Sequence, residues 1–457
     1  MSYTDNITSN EKRVSEAIRS MFYAESLAVV GASAAPEKTG YVILKNILDG
    51  GYAGKIYPIN PKSESILGVP CYASLEDVPG AIDLIVVSVP ARAVPDVMRQ
   101  AVAKGVRSAI IISGGFREIG NAELEAEVMA IAKEGGIAVI GPNCQGVNYL
   151  PNKMCASWPL IDVPGPVAVI SQSGTIGAAM AGWAADDGLG VTATVALGNN
   201  SGVSETSLMR FFAEDESVRV IAINIEGLRD GRAFLDNAVQ TLKKKPVVIL
   251  KPGRTSRGAV AAMSHTKSIA GSDAVFDAAC RQFGLIRAEG LAEFYDYSKI
   301  LGMLGRPDGR RLAILTSSGG SGILAADIAE DTGIELPVLD GAIVDALREK
   351  LPPQCVLSNP LDLTGDATAQ RYSDALEELA AYDQADCYLL IFGDPIEGAA
   401  EMVQEALEKI NKPVLAAFLG GGDVQKQEIP KLHAVGVPTF PTPERAVKAL
   451  AALLKRS

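Results

Sequence analysis

The chain has 457 residues, more than one ordinary domain contains, so about two to four domains are expected. A hydrophobic content of 48% with 21% charged residues is typical of globular domains that bury real cores. The net charge of −12 argues against a nucleic-acid-binding protein, because a phosphate backbone is bound by a basic surface.

Three further properties argue against other classes of protein. Residues 1–13 are polar and lack the apolar core of a signal peptide, and no stretch approaches the roughly 18 apolar residues of a membrane-spanning helix. The 6 cysteines form no C-x-x-C pair, which favours reduced thiols over disulfides or a zinc site. His265 and His433 are the only histidines, so no metal site is expected on this chain. We therefore expect a cytoplasmic protein without a membrane segment.

Short β-branched runs alternate with Gly, Ser or Pro turns and helical periods from residue 27 onwards. This alternation predicts an α/β protein with parallel sheets and right-handed crossovers. In the first domain, predicted at residues 1–150, the pattern indicates a Rossmann-like open sheet. Its predicted strands are residues 27–30, 55–59, 84–89, 108–113 and 138–140. The Pro- and Asn-rich segment 148–165 is predicted to be a linker.

The rest of the chain contains an internal repeat. Residues 167–174 (VAVISQSG) match residues 312–319 (LAILTSSG), and an alanine-rich helix is predicted after each. Residues 245–250 (KPVVIL) match residues 412–417 (KPVLAA) in the same way. Two copies of one supersecondary plan predict two related flavodoxin-like, doubly wound domains. We place them at residues 160–303 and 308–457.

The ends of the first two predicted strands favour a phosphorylated nucleotide other than NAD. The first turn reads Gly31-x-Ser33-x-x-Pro36 and so fails the G-x-G-x-x-G pattern of dinucleotide sites. The second strand ends in Asn60-Pro61-Lys62, where an NAD site carries an acidic residue for the ribose hydroxyls. A lysine there suits a ribose phosphate, and CoA has a 3′-phosphate. An ordinary βα turn with a surface lysine is the alternative, and it stays open here.

The repeated Ser/Gly turns are candidate phosphate sites, because each opens a helix after a predicted strand. Small residues let backbone N–H groups approach an anion, and the helix dipole adds roughly 0.3–1 kcal/mol. One such turn is also an ordinary helix cap. Two copies in paired domains predict two helix N-termini facing one phosphate. The predicted phosphate-binding residues are Ser171, Gln172, Ser173, Gly174, Ser318, Gly319, Gly320, Ser321 and Gly322.

His265 is a candidate carrier of a phosphoryl group. It lies in a Gly-, Ser- and Thr-rich segment, residues 253–273, that is predicted to be a loop after the strand at 247–250. An imidazole can accept a phosphoryl group by nucleophilic attack. Glu226, at the end of the preceding predicted strand, is a candidate to orient the ring. A histidine without chemistry and a solvated carboxylate are the alternatives. His433 is predicted to lie in the last turn of a helix, with no chemical role.

In their order along the chain, these motifs resemble a known family, the nucleoside-diphosphate-forming acyl-CoA synthetases of the succinyl-CoA synthetase superfamily. The resemblance covers residues 14–454, with a CoA-binding domain followed by two ligase domains. It is carried by VGAS (30–33), YPINPK (57–62), SVP (88–90), GPNC (141–144), SQSG (171–174), IEG (225–227), SHT (264–266), AGSD (270–273), SNPLD (358–362) and TPERA (442–446). The alpha subunits of ADP-forming acetate–CoA ligases are the most similar members.

The resemblance implies a role for each candidate residue. His265 is implied to be phosphorylated, Glu226 to steady it, and the two Ser/Gly turns to hold the phosphate. The implied CoA site consists of Gly31, Ser33, Lys38, Asn60, Pro61, Lys62, Ser88, Pro90 and Asn143. The implied reaction converts acyl-CoA, ADP and phosphate into acid, CoA and ATP, through an acyl phosphate and phospho-His265.

The sequence departs from the family pattern at two places. Lys267 follows Ser-His-Thr where glycine is common, and residues 198–202 (GNNSG) replace a Gly-Asn-Lys run. The acyl group, the choice of ADP or GDP, and the direction of the reaction stay open. The chain also has no ATP-grasp region and no G-x-x-x-x-G-K-[ST] loop. A hetero-oligomer is therefore expected, in which an ATP-grasp beta subunit binds the nucleotide and Mg²⁺.

Two other functions are compatible with this fold. One is a CoA-responsive regulatory or binding protein without turnover, and the other is an NAD-linked dehydrogenase. The presence of both His265 and Glu226 favours the enzyme, because a binding protein needs neither.

Overall fold

The computed structural model describes residues 9–266 and 272–455, without the side chains of residues 9–13 and 263–266. The chain divides into two compact units. The first contains residues 1–185 and 190–287, and the second contains residues 186–189 and 288–457. The first unit holds two large sheets and the second holds one. The boundaries of the three domains stay a prediction.

The first sheet has five parallel strands in the order β2-β1-β5-β6-β7, and a small β3–β4 hairpin accompanies it. The strands are β1 (Ser26–Val30), β2 (Lys55–Ile59), β3 (Ser65–Ile66), β4 (Val69–Pro70), β5 (Leu84–Val87), β6 (Ser108–Ile111) and β7 (Ala138–Ile140). The helices of this part are α1 (Ser9–Phe22), α2 (Thr39–Asp49), α3 (Val94–Ala103) and α4 (Ala122–Gly135).

The second sheet has seven strands in the order β14-β13-β12-β10-β11-β8-β9. Its strands are β8 (Gly146–Tyr149), β9 (Met154–Ser157), β10 (Pro164–Ser171), β11 (Val191–Ala196), β12 (Val220–Asn224), β13 (Val247–Leu250) and β14 (Ile286–Ala288). The helices are α5 (Gly174–Asp186), α6 (Glu205–Glu214), α7 (Gly231–Leu242), α8 (Ser256–Thr266) and α9 (Asp273–Phe283). The predicted linker was wrong, because β8 and β9 form an antiparallel hairpin that extends this sheet beyond β11.

The third sheet, in the second unit, has five parallel strands in the order β16-β15-β17-β18-β19. The strands are β15 (Leu312–Thr316), β16 (Leu361–Asp362), β17 (Cys387–Phe392), β18 (Val414–Phe418) and β19 (Thr439–Phe440). The helices are α10 (Leu291–Met303), α11 (Gly319–Thr332), α12 (Gly341–Lys350), α13 (Ala369–Ala381), α14 (Ala399–Leu407), α15 (Asp423–Ala434) and α16 (Pro443–Leu454).

The internal repeat corresponds to equivalent elements of the second and third sheets. The first matched pair forms β10 with the start of α5 and β15 with the start of α11. The second matched pair contains β13 and β18. One strand separates β13 from β10, and one strand likewise separates β18 from β15. The predicted α/β class, with an open parallel sheet followed by two related doubly wound sheets, is therefore confirmed.

The strands are apolar along their whole length because both faces of each sheet are covered. In β1, Leu27 and Val29 point into one hydrophobic core, whereas Ala28 and Val30 point into another. Alternate side chains of a strand lie on opposite faces, so a strand buried on both sides shows no polar alternation. This explains why apolar runs, rather than alternating ones, located the strands correctly.

No helix in the described part of the chain is both long and apolar enough to cross a membrane. The six cysteines are free thiols, and all but Cys71 are buried. Burial raises the pKa of Cys144 and of Cys387 to about 12, so these thiols stay protonated and unreactive at neutral pH.

His433 has a structural role in the second unit. The backbone N–H of Thr439 donates to its Nε2 at 3.2 Å, so the ring proton is on Nδ1 and is donated to the carbonyl oxygen of Asp187 at 2.8 Å. Burial lowers the pKa of His433, and the nearby Lys299 ammonium lowers it further. The ring is therefore neutral and joins the end of α15 to two other segments.

This depressed pKa predicts a pH-dependent stability for the second unit. As the pH falls through about 6.5, His433 becomes protonated in the unfolded chain but stays neutral in the folded chain. The free energy of unfolding therefore decreases. We expect the melting temperature to drop between about pH 7.5 and about pH 5.5, by about 2–4 °C for each kcal/mol lost. Calorimetry of His433→Gln should show a smaller drop than the parent protein, whereas His265→Gln keeps the parent slope. Equal slopes in all three proteins contradict the assignment.

Candidate functional site

The turn after β1 lies where the strand order of the first sheet reverses. Gly31 has a φ of +88°, and Ser88, directly after β5, donates a hydrogen bond from Oγ to the carbonyl oxygen of Val30 at 3.3 Å. A Cβ at Gly40 would lie 2.0 Å from the carbonyl oxygen of Gly31, so α2 can begin against this turn only because residue 40 is glycine. Such a switch point is where open α/β sheets bind ligands.

The predicted CoA residues at this switch point form hydrogen bonds with backbone groups. The Asn60 amide donates to the carbonyl oxygen of Ala32 at 2.8 Å and accepts from the N–H of Lys62 at 2.9 Å. Ser33 Oγ accepts from the N–H of Ala35 at 3.1 Å. These contacts hold the two turns side by side.

Lys38 and Lys62 are basic groups at this edge. Lys38 is the residue before α2, and Lys62 follows Pro61 after β2; all three side chains are exposed. Within the described ranges no carboxylate forms an ion pair with either lysine. Two uncompensated ammonium groups beside a turn suit an anionic ligand.

Two predicted CoA residues lie apart from this group. Pro90 is exposed after β5, two residues beyond Ser88. Asn143 follows β7, and β5 and β6 lie between β7 and β1 in the sheet. Its amide donates to Asn199 Oδ1 at 3.2 Å, so Asn143 is joined to the second sheet rather than to the turn at Gly31.

The segment 198–202, which departs from the family pattern, joins the two sheets of the first unit. The Asn199 amide donates to Glu118 at 2.7 Å and to Glu125 at 2.8 Å, and Ser201 Oγ donates to Glu125. Burial would raise the pKa of Glu118, but hydrogen bonds from Asn199 and from backbone N–H groups outweigh it and hold the pKa below its usual value. A Cβ at Gly198 would lie 2.3 Å from the carbonyl oxygen of Asn143, so this junction needs glycine there.

The predicted phosphate turn of the second sheet begins with Ser171 and Gln172. Both side chains form hydrogen bonds within the protein. Ser171 is fully buried, and its Oγ donates to the carbonyl oxygen of Ser173 at 2.5 Å while accepting from Asn224 at 3.1 Å. Ser173 and Gly174 are half-buried at the start of α5. The groups left for an anion are therefore those of Ser173, Gly174 and the helix N-terminus.

Gln172 connects this turn to Glu226. Its Oε1 accepts from the N–H of Glu226 at 2.7 Å and from the N–H of Gly227 at 3.0 Å, while its Nε2 donates to the carbonyl oxygen of Gly227 at 2.8 Å. Three hydrogen bonds from one amide fix the backbone at the end of β12. Gln172, predicted to bind phosphate, is thus placed to position the Glu226 carboxylate, which is half-buried at this edge.

His265 lies on the element that follows β13, the neighbour of β12. The register pairs Ser171 with Asn224 and Asn224 with Leu250, so the three strands end level with one another. The predicted loop at 253–273 was wrong in part, because residues 256–266 form α8 and 273–283 form α9. The backbone of His265 belongs to α8; its side chain, and the whole of Lys267, lie outside the described residues.

The second predicted phosphate turn, in the second unit, is built like the first. Thr316 Oγ1 donates to the carbonyl oxygen of Ser318 at 2.9 Å, as Ser171 does to Ser173. Ser318 precedes α11, and its Oγ is hydrogen-bonded to Ser321 Oγ at 2.9 Å. Gly319, Gly320 and Gly322 leave the first turn of the helix without bulky side chains.

One buried cation at this edge was missed by the sequence interpretation. Lys251, directly after β13, is 7% exposed, and within the described ranges its ammonium contacts only the ring of Phe276, 5.6 Å from the centroid. No carboxylate in that part of the chain forms an ion pair with it. Its position after an apolar run was the available signal, but a strand-end lysine is usually solvated.

Comparison with known proteins identifies the family of this chain. Family models match a CoA binding domain at residues 25–149, a succinyl-CoA ligase like flavodoxin domain at 164–301 and a ligase-CoA domain at 312–456. The alpha subunit of ADP-forming acetate–CoA ligase I from Pyrococcus furiosus is 39% identical, over 96% of this chain and 98% of that protein. The chain belongs to the ADP-forming acyl-CoA synthetases. Within them it is an alpha-subunit type, as the resemblance implied.

Two other members extend this result. ADP-forming acetate–CoA ligase I from Archaeoglobus fulgidus is 36% identical over 95% of this chain, which spans only 63% of that longer protein. The solved structure of Ca. Korarchaeum cryptofilum dinucleotide-forming acetyl-coenzyme A synthetase 1, in complex with phosphate and ADP, superposes with a TM-score of 0.90. It is 35% identical, and the match covers 95% of this chain and 96% of that one.

The Gln172 contacts predict that this residue holds the end of β12. In Gln172→Leu, the N–H groups of Glu226 and Gly227 lose their acceptor, which costs about 1–3 kcal/mol of local stability. Hydrogen-exchange mass spectrometry should therefore find residues 220–230 exchanging about ten-fold faster or more. Gln240→Leu, at a half-buried position of α7, is the control and leaves that peptide unchanged. An unchanged exchange rate in Gln172→Leu contradicts the positioning role.

Proposed function

We propose that the chain is the phosphohistidine-carrying subunit of an ADP-forming acyl-CoA synthetase and that His265 carries the phosphoryl group. The observation that carries this proposal is the Gln172 link. It ties the Ser/Gly start of α5 to Glu226, on strands whose neighbour leads into the helix of His265. An anion-binding helix start, a carboxylate and the histidine-bearing element thus follow adjacent strands of one sheet.

The reaction has three balanced steps. A phosphate oxygen attacks the thioester carbon of acyl-CoA, the C–S bond breaks, and CoA leaves as the thiol, giving an acyl phosphate. A ring nitrogen of His265 then attacks phosphorus, the P–O bond to the acyl group breaks, and the acid leaves as a carboxylate. Finally an oxygen of ADP attacks the phosphorus of phospho-His265, giving ATP and restoring the imidazole. Positioning and anion stabilisation contribute most to such transfers.

Within this scheme each candidate residue has a task. The backbone N–H groups at Ser173 and Gly174, and those at the start of α11, bind phosphate oxygens in their respective units. Glu226 accepts a hydrogen bond from the His265 ring nitrogen that is not attacked and so stabilises the cationic form. Lys251 adds positive charge close to the start of the histidine segment.

We assign CoA to the edge formed by the turns after β1, β2 and β5. Gly31, Ser33 and Ser88 shape the floor there, and the exposed Lys38 and Lys62 supply charge for phosphate groups. Pro90 and Asn143 complete the site only if CoA extends along the edge towards β7.

The nucleotide and its Mg²⁺ are assigned to a partner beta subunit with an ATP-grasp fold. Two facts about relatives support this division: the Pyrococcus furiosus protein is named as an alpha subunit, and the Archaeoglobus fulgidus protein is longer than this chain. In the described part of the chain, no three His, Cys, Asp or Glu side chains are grouped to hold a metal ion. We expect a hetero-oligomer in the cytoplasm that acts on a small carboxylic acid.

The first test of this function is covalent labelling of the complex with its beta subunit. Incubation with labelled phosphate and acetyl-CoA should give an acid-labile, base-stable label on the alpha chain. His265→Ala should abolish it, and Glu226→Gln should slow it about 10–100-fold, because a hydrogen bond to a charged group contributes about 1.5–3 kcal/mol.

His433→Gln is the matched control for the labelling, since it alters the only other histidine. The label must survive in that variant. If no label forms even with the beta subunit and ATP, the chain is not a phosphoryl carrier. CoA binding without any label then supports the regulatory alternative.

A second test concerns the CoA edge. Lys62→Ala should weaken CoA binding about ten-fold and remove most of the preference for CoA over dephospho-CoA, because its ammonium pairs with the 3′-phosphate. Calorimetric titration of both ligands measures this. Lys55→Ala, an exposed lysine at the other end of β2, is the control and keeps the preference. A preference that is unchanged in Lys62→Ala places the 3′-phosphate elsewhere.

A further inference from the structure

Lys251 is a buried ammonium group for which the described part of the chain supplies no acceptor. It directly follows β13 and is 7% exposed. Its Nζ lies over the ring of Phe276, 5.6 Å from the centroid, and no hydrogen bond or ion pair joins it to another described residue. A buried charge without a partner is costly, and a ring face replaces only part of the lost hydration. The ammonium is therefore placed for an anion that binds to the protein.

Two other lysines show what an ammonium contacts when its role is structural. Lys245, half-buried at the other end of β13, donates to two backbone carbonyl oxygens. Lys299, which is buried in α10 of the second unit, donates to a carboxylate at 3.1 Å and to a backbone carbonyl oxygen at 2.6 Å. Each of them has two oxygen acceptors within the protein. Lys251 has none among the residues that the structure describes, which indicates a ligand rather than a structural role.

The Lys251 ammonium lies at the N-terminus of α9. Side chains of a helix point back towards its start, so the ring of Phe276 covers the first turn. The residue before the helix, Ser272, is exposed, and its side chain forms no capping hydrogen bond. The N–H groups of residues 273–275 have no acceptor inside the helix. The positive end of the helix dipole and the ammonium are therefore at the same turn.

The carboxylates of this turn are already neutralised. Arg287 pairs with Asp273 and, at 3.2 Å, with Asp277. Asp277 also pairs with Arg281. Two acidic and two basic side chains balance one another, so Lys251 leaves the turn with one net positive charge. A cation beside free N–H groups of a helix start is an arrangement that binds phosphate.

This turn is separate from the phosphate turn at the start of α5. That helix follows β10, and β12 lies between β10 and β13. The two places are thus two strand spacings apart, about 10 Å. The start of α9 is also the next element after the helix of His265, since α8 ends at residue 266 and α9 begins at residue 273.

We propose that Lys251 and the first turn of α9 form a second phosphate site in the first unit, which holds the phosphoryl group after its transfer to His265. The inference rests on the proposed function, because the phosphoryl group reaches this site on the histidine. The ligand is a phosphoryl group bonded to an imidazole nitrogen, not the free phosphate that attacks acyl-CoA. The ammonium and the helix N–H groups bind its oxygens and so stabilise the phosphorylated chain.

The experiment measures the equilibrium between ATP and phospho-His265 in the complex with its beta subunit, as the labelled fraction of the chain at fixed ratios of ATP to ADP. Lys251→Met should lower the equilibrium constant about 10–100-fold, the loss expected for a hydrogen bond to a charged group. Lys251→Gln, which keeps a polar end, should show the same loss. Lys251→Arg keeps the charge and should recover most of the constant. The KM for phosphate should stay at the parent value in all three.

Two further variants separate binding from a structural effect. Ser272→Asp keeps a good helix cap and adds a negative charge that suits the helix dipole, so the melting temperature should not fall. Its carboxylate repels the phosphoryl group, and the equilibrium constant should fall about five-fold. Lys245→Met is the matched control on the same strand. It should lower the melting temperature and leave the constant unchanged, because its ammonium contacts only backbone carbonyl oxygens.

An equilibrium constant at the parent value in Lys251→Met and Lys251→Gln overturns the inference. A rise in the KM for phosphate with an unchanged constant also overturns it, because Lys251 then belongs to the site of the free phosphate. Equal losses in Lys245→Met and Lys251→Met reveal a general loss of structure and have the same consequence. In each of these cases the label still forms, so the proposed function stands. If the parent complex forms no label from ATP, the proposed function fails, and the inference fails with it.

Discussion

Parallel strands end at one edge of their sheet, and every assigned group of this protein depends on that constraint. Ser171, Asn224 and Leu250 are level in three adjacent strands, so the residues that follow them meet at the same place. Ser171 and Asn224 are 53 residues apart in the chain, and only the sheet brings them together. Gln172 turns this proximity into a fixed geometry, since one amide binds both backbone N–H groups at the end of β12.

The same constraint explains the junction between the two sheets of the first unit. Both sheets present their carboxyl edges to it, through Asn143 on one side and Asn199 on the other. The buried Glu125 accepts from Asn199 and Ser201, so separating the sheets would leave this carboxylate without two of its donors. Such a loss costs more than a neutral hydrogen bond. The two sheets of this unit are therefore held together by hydrogen bonds at the ends of β7 and β11.

Sequence periodicity located most of the fold because its strands are buried on both faces. It failed where short-range composition misled: β8 and β9 are joined by the Pro- and Asn-containing turn at 150–152, which made a hairpin resemble a linker. The segment at 256–266 was predicted as a loop from its Ser and Gly content, although its alanines favour a helix. The candidate site was proposed from the sequence as a set of residue types. The partner of each side chain was not, because Gln172 and Glu226 are 54 residues apart.

Charge is distributed unevenly along the candidate site. The protein carries a net charge of −12, yet Lys38, Lys62 and Lys251 have no carboxylate partner among the described residues. Exposed charges are screened by salt, whereas a buried ammonium is screened much less. Lys38 and Lys62, which are exposed, are therefore more sensitive to ionic strength than Lys251, which is buried.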